Sequence, residues 1–135
     1  FWTKFRFMGK KELFKTKLGA WFFTKLGSFP VDRNQITPSV YKKTLAELND
    51  NKQVFIFPEG TRNKGEGLLP FKFGAVKMAS VTNKKIVPCI ITGKYKVFRS
   101  NLRVRFGEAI DISNMDLEKA NELLRNKMLE MLEEK

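Results

Sequence analysis

An α/β domain with a mixed, largely parallel sheet flanked by helices is the fold class this sequence predicts, and three observations lead there. Two short apolar runs, Phe29-Pro30-Val31 and Gln53–Phe57, bracket a helical stretch that opens at Thr37-Pro38. A strand, helix, strand order in so short a span joins parallel strands through a crossover. Each run is followed directly by a polar segment carrying an arginine, Arg33 or Arg62. Helical and strand-like patterns then alternate to the end of the chain, as layered α/β domains require.

Composition narrows the class. A chain of 135 residues is long enough for one modest core, and a hydrophobic content of 42% with 13 Phe is that of a globular protein. No apolar run reaches the roughly 18 to 20 residues of a membrane span, and no signal-peptide pattern opens the sequence. Phe1 stands first rather than Met, in what already reads as a strand over Phe5-Arg6-Phe7-Met8. The expectation is a single domain over residues 1–135 that is incomplete at its N-terminus.

Cys89 is the one cysteine and the chain has no histidine. An internal disulfide is thereby excluded, and a zinc site finds no ligand set. Within Val87-Pro88-Cys89-Ile90-Ile91 the thiol reads as core filler, since no imidazole is present to activate it. A reducing, cytoplasmic setting fits this usage.

The net charge of +12 is unevenly spread. Residues 1–25 hold seven Lys/Arg against one acid, residues 64–105 ten against one, and residues 106–135 four against eight. Such a field attracts phosphates, whether on lipid, nucleic acid or a small substrate.

Along the chain, Lys10–Lys25 reads as an untidy helix. Leu13, Phe14, Leu18, Trp21, Phe22 and Leu26 share a broad apolar face, Phe23 falls off it, and Gly19 weakens it. Lysines 10, 11, 15, 17 and 25 surround these aromatics. Two readings stand: a core helix with a basic rim, or a helix resting on an anionic bilayer. Phe29-Pro30-Val31 is a short strand near an edge, because Pro cannot donate to the ladder. Thr37 caps a helix with Pro38 at its first position, running to about Asn49. Further helices are expected over Phe71–Ser80 and behind Ser113-Asn114-Met115-Asp116, which has capping-box spacing. Leu117, Ala120, Leu124, Met128, Met131 and Leu132 form the buried stripe of the latter. Strands are expected over Ile86–Thr92 and Leu102–Phe106, and the polar segment Asn63–Leu69 reads as a loop.

The chemistry concentrates in Phe57-Pro58-Glu59-Gly60-Thr61-Arg62. Parallel strands put their carboxyl ends on one edge of the sheet, where open α/β sheets bind ligands. Arg33 and Arg62 can therefore converge on one anion. The Arg62 guanidinium grips phosphate bidentately, Gly60 lets the backbone approach and present its N–H, and the Thr61 hydroxyl can donate. Ionised Glu59 only accepts, so it suits a substrate hydroxyl or an arginine rather than phosphate. The plainer alternative is a strand-ending turn with a surface ion pair.

Phe-Pro-Glu-Gly-Thr-Arg resembles a hallmark of the glycerolipid acyltransferases, the 1-acyl-sn-glycerol-3-phosphate (lysophosphatidate) acyltransferase group. Three further stretches resemble the family in order and spacing: Gly27-Ser28-Phe29-Pro30-Val31-Asp32-Arg33, Pro70-Phe71-Lys72-Phe73-Gly74-Ala75 and Val87-Pro88-Cys89-Ile90. Lys10-Lys11-Glu12-Leu13-Phe14 looks like the lead-in to the second block. The resemblance implies that Arg33, Gly60, Thr61 and Arg62 bind the substrate phosphate, with Glu59 at the glycerol end or on an arginine. It implies that Val87, Pro88 and Ile90 shape the site or an acyl-chain channel. Phe73 departs from the family where many relatives have a second basic residue, and Cys89 where an aliphatic is usual.

The family's first block, a histidine with an aspartate five positions on, is not in this chain. That pair takes the proton of the acceptor hydroxyl as it attacks an acyl thioester. The resemblance thus implies transfer of an acyl group from acyl-CoA or acyl-carrier protein to lysophosphatidate in phospholipid synthesis. These residues would supply the phosphate and glycerol site and would be inactive alone. It implies no metal and no cofactor beyond the donor, and work at the cytoplasmic face of an anionic membrane. The reading of a different class is a noncatalytic basic module for anionic lipid or nucleic acid, although no nucleic-acid motif appears.

Overall fold

The computed structural model describes residues 4–31, 37–61, 63, 65, 67–93 and 101–134. The chain divides into two compact units, Phe1–Thr61 and Arg62–Lys135.

The first unit holds β1 (Phe5–Lys10), a 3-10 turn (Lys11–Phe14), α1 (Lys17–Lys25), β2 (Ser28–Val31), α2 (Pro38–Asn49) and β3 (Gln53–Phe55). All three strands are parallel, in the order β2-β1-β3. β2 and β3 run parallel as the crossover rule requires, yet they are not neighbours, because β1 lies between them. Phe7 pairs with Ser28 on one side and Phe55 on the other. Pro30 sits opposite Gly9 on a strand that is outermost among the described residues, where its missing N–H costs least.

The sheet is covered on both faces, as parallel sheets are. Phe29 and Val31 are buried, and Lys43 of α2 lies 5.1 Å above the Phe29 ring. On the opposite face Phe14 packs so closely over Gly9 that a Cβ there would stand 2.9 Å from its ring. The expected helix over Lys10–Lys25 is shorter. β1 continues through Lys10, a 3-10 turn follows, and Thr16 starts α1 by accepting the Gly19 N–H at 3.0 Å. Gly19 is required by this break: a Cβ there would meet the Leu13 carbonyl oxygen at 2.6 Å.

The second unit holds α3 (Gly74–Val81), β4 (Cys89–Thr92), β5 (Arg103–Phe106) and α4 (Leu117–Glu133). β4 and β5 pair antiparallel in a two-stranded sheet of their own. Phe71, Val76, Ala79, Ile90, Ile112, Ala120, Leu124 and Met128 form one core, so the helical stripe behind Asp116 faces inward as its spacing predicts. α3 starts at Gly74 rather than Phe71, because Phe71 turns into that core and its carbonyl accepts from Asn121 at 3.1 Å. The strand expected over Ile86–Thr92 is continuous only from Cys89; Ile86 makes an isolated bridge to Ile110, with Pro88 between. The cap of α4 is Asp116, whose carboxylate accepts the Lys119 N–H at 2.9 Å, rather than Ser113.

Candidate functional site

At the carboxyl edge of the β2-β1-β3 sheet, Glu59, Gly60 and Thr61 follow β3. β3 ends at Phe55, level with Phe7 of β1, while β1 and β2 run on together to the pair Lys10–Val31. The Phe57–Thr61 segment therefore leaves the sheet alongside the last residues of β1. It opens with a tight turn: the Gly60 N–H donates to the Phe57 carbonyl at 3.0 Å, and Gly60 takes a φ of +67°. Only a residue without a Cβ enters that region freely. The turn leaves the Phe57 ring 73% exposed.

Gly60 and Thr61 are exposed and Glu59 is partly buried. One expectation is corrected here. The Gly60 N–H is used inside the turn, so it is not presented to a ligand; the glycine serves the turn's left-handed backbone instead. Arg33 and Arg62 lie outside the described residues.

Strand order adds a residue that the sequence pattern did not single out for the site. β2 and β3 stand two strand spacings apart, about 9 to 10 Å, with β1 between them. Lys10 closes β1 on that edge, with its side chain 53% exposed and only a long 3.8 Å pairing to Glu12. Lys10 is thus a cation at the end of the middle strand of the three. The signal was present in the pair Lys10-Lys11, but without the strand order those lysines read as a helix rim.

An ion network lies at the opposite, amino edge. The Arg6 guanidinium donates to the Glu47 carboxylate at 3.0 Å, and Lys52 reaches Glu47 at 3.1 Å and Asp50 at 2.6 Å. Desolvation pushes the Glu47 carboxyl up, but Lys52 and Arg6 outweigh it and hold it below the usual carboxylate range. This cluster braces β1 to the end of α2, so Arg6 is occupied structurally.

Of the expected channel residues, Pro88 is buried and Ile90 is 3% exposed in the second unit's core, whereas Val87 is 51% exposed. Within β4, Cys89 and Ile91 alternate to the face opposite Ile90. Burial pushes the Cys89 thiol up, away from thiolate chemistry. Beyond the turn, Asn63 organises its loop by donating to the Gly67 carbonyl at 2.7 Å and accepting the Gly65 N–H at 2.9 Å. Among the described residues, no group of three or more His, Cys, Asp or Glu could hold a metal ion. No helix among them is long and apolar enough to cross a membrane.

Comparison with known proteins bears on the same residues. The sequence profile of the Acyltransferase family matches residues 1–92. The chain is 32% identical over 124 residues to the 1-acyl-sn-glycerol-3-phosphate acyltransferase of Streptococcus pneumoniae, covering 88% of this chain and 45% of that protein. It is 39% identical over 87 residues to the Bacillus subtilis protein of the same name, covering 64% and 43%. For that of Escherichia coli the figures are 33% over 127 residues, 86% and 51%. The chain thus spans about half the length of the curated relatives it matches. The crystal structure of the 1-acyl-sn-glycerophosphate (LPA) acyltransferase PlsC from Thermotoga maritima superposes with a TM-score of 0.73 at 22% identity, covering 98% of this chain and 58% of that one. That likeness shows a shared α/β fold.

Proposed function

Since the chain belongs to the Acyltransferase family, we propose that it forms the phosphate- and glycerol-binding part of an enzyme that acylates 1-acyl-sn-glycerol-3-phosphate. The observation that carries this reading is the shared carboxyl edge of the parallel strands β2, β1 and β3. In the sequence, Arg33 follows β2 by two residues and Arg62 follows the Phe57–Gly60 turn. The substrate phosphate is held by Arg33, Arg62, the Thr61 hydroxyl and Lys10. Glu59 accepts from the free glycerol hydroxyl or orients an arginine. Gly60 sets the turn that immediately precedes Thr61.

The reaction needs a base, because the acceptor hydroxyl loses its proton as its oxygen attacks the thioester carbon. The C–S bond then breaks and the thiol leaves, carrying a proton from that base. The chain has no imidazole to do this. The base is supplied from outside these 135 residues, and the role of this part is to fix the acceptor. The donor is an acyl thioester of CoA or of a carrier protein, no metal or bound cofactor takes part, and nucleic acid has no role. The setting is the cytoplasmic face of an anionic membrane, and Val87 with Pro88 and Ile90 shapes the acyl end.

Calorimetric titration with lysophosphatidate, below its micelle concentration, tests the site. Arg33→Ala or Arg62→Ala removes a charge-assisted contact of about 1.5–3 kcal/mol, roughly ten- to hundredfold in Kd. Lys10→Ala weakens binding less, since a lysine makes no bidentate contact. Equal affinity in the arginine variants would refute the assignment. So would a robust acyl-transfer rate from the 135-residue chain alone, for the claim that the base lies outside it.

A further inference from the structure

We propose that the outer face of α1 is a docking surface for an anionic lipid bilayer. The proposal deepens the membrane part of the reading above. Vesicle binding is measured without substrate, so it stands or falls separately from the phosphate site.

α1 buries no side chain, whereas α2, α3 and α4 each bury at least one. Its inner side is accounted for: Phe23 meets Phe14 at 5.8 Å between ring centroids, and Gly19 and Ala20 are partly buried. The outer side carries Leu18 at 75% exposure, Trp21 at 60% and Phe22 at 50%. At 100° per residue, Lys17, Trp21, Lys25, Leu18 and Phe22 fall in sequence around an arc of about 140°. Leu18 and Phe22 are thus neighbours on the arc, Lys25 stands between them and Trp21, and Lys17 lies at the margin. Lys11, Lys15, Lys17 and Lys25 are all exposed, and α1 contains no acid.

That chemistry selects the occupant. A folded protein partner with an apolar patch would be satisfied by Leu18, Trp21 and Phe22 but gives no reason for a ring of uncompensated lysines. An anionic bilayer uses both sets. Leu and Phe enter the acyl boundary, the indole sits at the headgroup level, and lysine stems lie along the apolar surface with their ammonium groups on lipid phosphates. Topology adds a consequence. α1 begins after the 3-10 turn that leaves the carboxyl end of β1, so its first turn and Lys15 stand at the same edge as Lys10 and the Phe57–Thr61 turn. A bilayer docked there lies beside the edge assigned to a lipid headgroup.

Trp21 is its own reporter. In the Trp2→Phe chain it is the sole indole, so its emission reads the helix directly. With vesicles of phosphatidylcholine and phosphatidylglycerol, the expected result is a blue shift and quenching by lipids brominated near the headgroup. Phosphatidylcholine vesicles alone give little change. Leu18→Ser combined with Phe22→Ser lowers partitioning about tenfold or more with an unchanged melting temperature. Replacing Lys15, Lys17 and Lys25 by Gln removes the preference for phosphatidylglycerol. Partitioning unaffected by these changes would overturn the proposal. A lowered melting temperature in the Leu18→Ser, Phe22→Ser chain would overturn it too, since the face would then be packed within the fold. A concentration-dependent dimer broken by the same changes would assign the face to a second copy instead.

Discussion

At Gly27 two constraints meet in one residue. Its φ is +79°, and a Cβ built there would collide with the Phe5 carbonyl oxygen at the start of β1. Gly67 has nearly the same φ, +78°, with nothing within 4 Å of such a Cβ. The pair separates backbone strain from collision. Gly67→Ala should cost about 1–2 kcal/mol from the left-handed backbone alone. Gly27→Ala should cost more, roughly 3 kcal/mol, because β1 must also shift. Urea unfolding curves of the two variants check this, and equal costs would show that the β1 contact is unimportant. At this scale the sequence was partly legible. Gly60 was marked as special by its place after Pro58-Glu59, but its role was not readable. Whether a glycine N–H is offered outward or closes a turn depends on a carbonyl three residues back, and only the folded backbone orients that group.

Elements were legible where local chemistry sets their limits, and less so where a distant residue does. α2 begins at Pro38 and ends at Asn49 as the sequence predicts, because Pro at the first position and Asn51 in the left-handed region, φ +56°, are local signals. α3 starts late because Phe71 is drawn into a core that also contains Leu124 and Met128, far along the chain. The join between β1 and α2 carries a pH dependence. Glu47 is held below the usual carboxylate range by Lys52 and Arg6 despite desolvation. A depressed carboxyl contributes stability above its unfolded pKa and loses it as pH falls through the folded value. Melting temperature should therefore fall on acidification through and below the ordinary carboxylate range, and part of that slope should vanish in Glu47→Gln. With the Glu47 side chain 18% exposed, the contribution is about 1 kcal/mol at neutral pH. An identical acid slope in Glu47→Gln would assign the dependence to other carboxylates.

For the whole molecule, the net charge of +12 sets how it meets a charged surface. Exposed lysines act across water and are screened over about 8 to 10 Å at moderate salt. Raising salt should weaken partitioning onto phosphatidylglycerol vesicles steeply and leave the apolar part, which the Leu18 and Phe22 substitutions remove. A partition coefficient indifferent to salt would show that charge takes no part. The sequence by itself determined the α/β class, the crossover that makes β2 and β3 parallel, the arginine-bearing segments after them and the lack of any imidazole. These follow from residue type, spacing and short-range chirality. Only the tertiary structure decided that β1 stands between β2 and β3, that Lys10 therefore closes the middle of the site edge, and which side of α1 faces outward. Strand neighbours are chosen by hydrogen bonds between segments far apart in the chain, and a helix's periodicity names its apolar residues without saying what, if anything, will cover them.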